Sequence, residues 1–255
     1  MRVVAVVAVV AIAALIGGCA QDPEADALES LRRISEIRSG ELTLDVAIET
    51  TGEDVASTGF TIDGVFMLPD EEGALPEADL AYTQRAGDEE VDGRFISDGT
   101  TVFVEVEGER TELPADQVDA FRVEGDADAA TVFTQLDVEK WLPDATVEDE
   151  GGDTTITGDL DVVAALNDMF ELAASFGGAV VPAIEEDQAE IVRSSVVSSS
   201  AEITAGEDGL LRRLSMAIEF GVADAELREA LGPLAGATFT LELDLASVND
   251  PVDVG

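Results

Sequence analysis

Fifty-six carboxylates, one lysine and no histidine set the limits on the chemistry open to this chain. Paired Asp and Glu can work as acid and base on a glycosidic bond. With 56 of them in 255 residues, every stretch offers such a pair, so carboxylate pairing singles out no site. The absence of His removes the Ser-His-Asp and Cys-His arrangements and any imidazole metal ligand. Five serines stand between Ser194 and Ser200, but Lys140 is the only lysine that could activate one. A Ser-rich strand surface explains them better than a Ser-Lys dyad. The DEGGD stretch at 149–153 has oxygen ligands for a weak calcium site. It lacks the loop pattern and terminal Glu of an EF-hand, and reads as a solvated turn. No Gly-rich phosphate loop is present. Trp141 either anchors a core or lines a ligand entrance, the first being the commoner role of a Trp. No catalytic residue, metal ligand or cofactor is expected.

The charge excludes a further class. Thirteen basic against 56 acidic residues leave a net charge of −43. A nucleic acid backbone needs Lys and Arg to displace its counterions, so no nucleic acid partner is expected. The acidic residues are spread along the chain and form no tail. They read as a solvated surface that favours solubility, or as adaptation to high salt, where screening removes the self-repulsion. An apolar fraction of 46% is ample for a core.

The N-terminus reads as an address. Arg2 gives a short positive region, and residues 3–16 are uninterruptedly apolar. Fourteen residues are short for a bilayer span, which takes about 20, but suit the apolar region of a signal peptide. The stretch ends in Leu15-Ile16-Gly17-Gly18-Cys19, which resembles a bacterial lipobox. That resemblance implies that Cys19, the only cysteine, is acylated on sulfur and becomes the mature N-terminus. The chain is then held to the outer face of the plasma membrane by hydrocarbon, at roughly 0.8 kcal/mol per buried methylene. The organisation expected is a signal peptide over 1–18, an acylated tether over 19–27 and one domain over 28–255.

The elements of that domain follow from periodicity. Residues 25–39 have helical spacing, with Leu31, Ile34 and Ile37 on one stripe and Gly40 at the end. Over ELTLDVAIET the period becomes two, so Leu42, Leu44, Val46 and Ile48 share one face. Further strands are predicted at 57–68, 79–85, 90–97, 101–107 and 110–113. Asp98-Gly99 is a hairpin signal, and Gly64 marks a bulge or bend. Helices are predicted at 114–121, 127–136, 159–176, 184–192 and 223–231. A short strand at 154–158 and longer ones at 195–204, 210–222 and 237–247 complete the set. Eight to ten strands with tight turns give an antiparallel meander in an α+β domain, a curved sheet covered by helices.

The order of these features resembles the LolA-like lipid carriers, in particular the actinobacterial lipoproteins of the LppX/LprAFG group. The carrying features are the Cys19 lipobox, the early helix before ELTLDVAIET, and DGTTVFVEVEGERTELP. The Trp141 segment before TTITGDLD, the LLRRLSMAIEF strand and the final LELDLASVNDPVDV follow in the same order. The resemblance spans most of residues 25–254. It implies a half-barrel whose concave face, with the helices over it, encloses an apolar cavity for a lipid or glycolipid. The lining so implied is Val46, Ile48, Phe60, Ile62, Phe66, Leu166, Phe170, Phe220, Phe239 and Leu241. Taken singly, each of these is more often plain core. Two functions therefore stand side by side. One is an envelope lipid carrier or chaperone, without catalysis. The other is a scaffold lipoprotein with a filled core that works on an envelope protein partner through its surface.

Overall fold

The structure, a computed structural model, describes residues 30–31, 33–52, 57–69, 71, 73–106, 108–118, 138–175, 183–221 and 234–254. The leader, Cys19 and its tether, and the helices predicted at 127–136 and 223–231 lie outside the described residues.

Period-two segments pair wherever one face can be buried. Here they form one sheet of eleven strands: β1 (Ser39–Gly52), β2 (Ser57–Met67), β3 (Glu77–Ala86), β4 (Glu89–Asp98), β5 (Val102–Val106), β6 (Glu109–Glu112), β7 (Thr146–Glu150), β8 (Asp153–Gly158), β9 (Val196–Ala205), β10 (Leu211–Gly221) and β11 (Leu234–Ala246). The spatial order is β6-β5-β4-β3-β2-β1-β11-β10-β9-β8-β7, and every neighbouring pair is antiparallel. The sheet is open, with β6 and β7 as its edges. The first and last strands pair at its centre, where Leu44 faces Leu243 and Val46 faces Leu241.

The hairpin at Asp98-Gly99 forms as predicted. The Asp98 carboxylate accepts hydrogen bonds from the Thr100 and Thr101 amides and the Thr100 hydroxyl. Those bonds, the Thr100 hydroxyl first, hold its carboxyl below the usual range. Two differences concern strands. The sheet has one strand more than the upper expectation, because TVEDE forms β7. Its only large apolar residue, Val147, pairs with Ile156. The DEGGD stretch is the β7–β8 turn, where Gly151 and Gly152 take positive φ of 67° and 104°.

The helix predicted at 159–176 begins only at Val162, and the one predicted at 184–192 is shifted toward the C-terminus. Described residues of the early helix give helical Ser30 and Leu31 and a 3-10 turn over Arg33–Glu36. Gly40 does not end that helix, because it already lies within β1. Beyond it come α1 (Ala115–Val118), α2 (Val138–Trp141), α3 (Val162–Ser175) and α4 (Glu186–Ser195). The first of these covers the described part of the helix expected at 114–121. The onset of α3 falls at Val162 because the Asp161 side chain accepts from the amides of Val163 and Ala164, both at 3.1 Å. A capping box of Glu185 and Gln188 opens α4. The α3 helix packs on α2 and α4, and α4 packs on β9. Trp141 is a core anchor: it is buried, and its Nε1–H donates to Asp168 Oδ2 of α3 at 2.8 Å.

One end of the sheet is sealed. Leu42, Phe66, Leu80, Phe95, Val102, Ala205, Leu211 and Leu245 are buried there with Leu31, Ile34 and Ile37. The turn after β11 clamps this end. The Asn249 side chain accepts from the Arg38 amide at 2.6 Å and donates to the Glu36 carbonyl at 3.0 Å, while its own amide donates to the Ser39 carbonyl. Asn249 holds φ at +61°, a conformation Asn tolerates better than Ala. Losing two hydrogen bonds and adding that strain makes Asn249→Ala less stable by about 2–3 kcal/mol in urea unfolding. A loss below about 0.5 kcal/mol would show that the turn is not a clamp.

Candidate ligand-binding face

Residues directly opposite each other on neighbouring strands share a face. The register therefore sorts the apolar face into rows that run across the strands. The outermost row that reaches from β9 to β4 reads Ser199, Ile218, Phe239, Ile48, Thr58, Ala86 and Glu89. The next reads Ala201, Met216, Leu241, Val46, Phe60, Gln84 and Val91. A third holds Ile156, Ile203, Leu214, Leu243, Leu44, Ile62, Tyr82, Gly93, Val106 and Glu109.

Burial falls away from the sealed end along β1, β11 and β2, whereas on β10 Met216 and Ile218 stay 2% and 0% exposed and close the outer rows on that side. In β1, Leu42 is buried, Leu44 and Val46 are half-buried, and Ile48 is 41% exposed. In β11, Leu245 is buried while Leu243, Leu241 and Phe239 are half-buried. In β2, Phe66 and Ile62 are 1% and 2% exposed, and Phe60 is half-buried. Leu44, Phe60, Phe239, Leu241 and Leu243 pack against the buried core, so the surface is continuous with it. The result is an apolar face that is filled at one end and, over β11, β1 and β2, partly uncovered at the other.

The structure thus divides the ten residues expected to line a cavity. Val46, Ile48, Phe60, Phe239 and Leu241 gather in the two outer rows, with Phe220 opposite Ala237 beyond them. Ile62 and Phe66 are packed in the core. Leu166 on α3 is half-buried against the same core, and the Phe170 side chain lies outside the described residues. The sequence reading missed Tyr82 and Gln84, which face Ile62 and Phe60 from β3. The alternation of DLAYTQR carried the signal, since Leu80, Tyr82 and Gln84 must share a face once Leu80 is inward.

Tyr82 is the only tyrosine, and its ring lies against Gly93: a Cβ there would come within 2.2 Å of the phenol Cζ. Burial pushes its hydroxyl above the ordinary value of 10.0, because the phenolate is poorly solvated against this face. Ultraviolet titration should place the Tyr82 midpoint above 10.0, with unfolded protein at the ordinary value. An apolar ligand seated on the face should raise the midpoint further. A midpoint at or below the unfolded one would place the ring in solvent.

The opposite face is polar and holds the sheet's ion pairs. Arg85 bonds Asp45 at 2.9 Å, and the Thr61 hydroxyl donates to the same carboxylate at 2.6 Å. Arg94 makes a bidentate pair with Asp79. Arg213 lies 3.8 Å from both Glu202 and Asp244. Arg110 sits 4.1 Å over the Phe103 ring. Among the described residues no Lys or Arg belongs to the three apolar rows, and no group of three or more Asp, Glu or Cys is placed to hold a metal ion.

No known protein family matches the chain, and no characterised protein matches it in sequence. Among solved structures it is similar to the crystal structure of LprF from Mycobacterium bovis. That likeness has 12% identity, covers 93% of this chain and 98% of the other, and has a TM-score of 0.38. It is also similar to the crystal structure of a LolA superfamily protein from Nitrosomonas europaea, at 11% identity over 92% of this chain and 96% of that one, with a TM-score of 0.22. The antiparallel architecture is read from the strand order itself.

Proposed function

We propose that the protein is an envelope lipoprotein that carries a lipid by its hydrocarbon tails, and that it does no chemistry on its cargo. The observation that carries this reading is the half-uncovered apolar surface around Ile48, Phe239, Leu241, Val46 and Phe60, five apolar side chains that adjoin one another across three strands. Each methylene laid on such a surface contributes roughly 0.8 kcal/mol, so one long acyl chain supplies ample affinity. In this reading the sheet curves into a half-barrel with the outer rows on its concave side. Helical segments complete the cover, and Leu166 and Phe170 add to the lining. Acylated Cys19 holds the domain at the outer face of the plasma membrane, within reach of lipid donors and of an envelope protein that receives the cargo.

The test is native mass spectrometry of residues 20–255, exported behind a cleavable secretory leader and purified without detergent from a bacterial envelope. The expected spectrum shows bound lipid at about one molecule per chain, released by organic extraction. Protein free of lipid, and unable to take up added fatty acid or diacylglycerol, would instead support a scaffold that acts through its surface.

A further inference from the structure

The charges around the apolar face point to a property of its ligand, and the inference rests on the lipid-binding reading above. Two of the three apolar rows end in carboxylates. Glu89 stands opposite Ala86 in the outermost row, and Glu109 stands opposite Val106 in the third. Both are exposed, as are Asp88 and Glu90 beside Glu89. Among the described residues no cation offsets them on that face. The nearest arginine along β3, Arg85, is on the opposite face and bonded to Asp45. Arg110, next to Glu109, is stacked on Phe103 of that same opposite face. A tail lying along the outer rows has its head group at this end, because the other end of those rows is filled by Ala201, Met216 and Ile218.

We infer that the face selects amphiphiles whose head group carries no negative charge, and that Glu89 and Glu109 enforce the selection. Like charge at the rim raises the cost of seating an anionic head, whereas hydroxyls or a cation can hydrogen-bond to the carboxylates. The repulsion acts between solvent-exposed groups, so salt screens it, the Debye length being about 30 Å at 0.01 M and about 3 Å at 1 M.

Three probes with the same twelve-carbon tail isolate the head group: dodecanoate, dodecyl maltoside and dodecyltrimethylammonium, each below its micelle concentration at pH 8. The readout is the ring NMR signal of Tyr82 in the full chain, which reports this face because the chain has no other tyrosine. In low salt the maltoside and the ammonium should bind at least about tenfold more tightly than dodecanoate, and 1 M NaCl should narrow the gap. Glu89→Gln with Glu109→Gln should narrow it in low salt too. Glu71→Gln with Glu207→Gln, an equal charge change in turns at the sealed end, should leave it in place. Dodecanoate binding as tightly as the maltoside, or equal effects of the two double variants, would overturn the selection while leaving lipid binding intact. No Tyr82 response to any of the three probes would overturn both.

Discussion

Replacing Gly64 with alanine should cost about 3–5 kcal/mol of stability, the largest loss expected from removing no interaction at all. Gly64 sits in β2 between Leu42 of β1 and Leu80 of β3. Its φ is +152°, and a Cβ there would lie 2.0 Å from the Asp79 carbonyl oxygen and 3.0 Å from the Leu80 Cα. Those are backbone atoms, so no side chain can swing away to make room. Relief requires β2 and β3 to part at the point where the sealed end begins. A domain of this kind has only about 5–15 kcal/mol in hand, so the variant should be poorly populated at growth temperature. Urea unfolding followed by fluorescence of Trp141, the only tryptophan, measures the loss. Gly73→Ala is the comparison. Gly73 also holds a positive φ, +77°, but a Cβ would meet nothing within 4 Å, so the cost should stay near 1 kcal/mol. Equal losses at the two positions would mean that strand contact at Gly64 is not the cause.

The second large effect is on binding and should leave the fold almost untouched. Ile48→Asp places a charge in the middle of the outermost apolar row, between Phe239 and Thr58. At 41% exposure the side chain contributes little to the core, and the carboxylate remains solvated, so stability should change by less than about 1 kcal/mol. A bound acyl chain would have to desolvate that carboxylate, and affinity for dodecyl maltoside should fall at least about tenfold. Ile62→Ala reverses the pattern. Ile62 is 2% exposed, and its truncation should cost about 2–5 kcal/mol while affinity falls less than in Ile48→Asp. If Ile48→Asp bound dodecyl maltoside as tightly as the unaltered chain, the outer rows would not be the ligand surface.

These two positions also show what could be read in advance. The strands were legible because each repeats at period two over enough residues to declare itself. ELTLDVAIET became β1 and the Asp98-Gly99 hairpin joined β4 to β5, as their patterns required. What a pattern of alternation does not contain is its partner. Nothing in residues 39–52 announces that they pair with residues 234–246, and that pairing brings Ile48 beside Phe239 and Val46 beside Leu241. The gradient of burial along one strand was hidden for the same reason. Ile48 and Leu42 look alike in sequence, but only Leu42 ends under the Leu31, Ile34 and Ile37 side of the core. At Gly64 a bend was legible, but the register runs through it without a bulge, and its reason is a close backbone approach from β3. β7 went unseen because an edge strand of largely exposed Thr, Glu and Asp has no apolar face to alternate.

The most direct test of the whole account places a hydrocarbon tail on the outer rows and asks which residues feel it. Residues 20–255, labelled at isoleucine and valine methyls, are titrated with dodecyl maltoside and followed by NMR. The account predicts saturable shifts at Ile48, Val46 and the Tyr82 ring, with the methyls of Val102 near the sealed end unmoved. Shifts spread evenly over the molecule, or none at Ile48 and Val46, would contradict it.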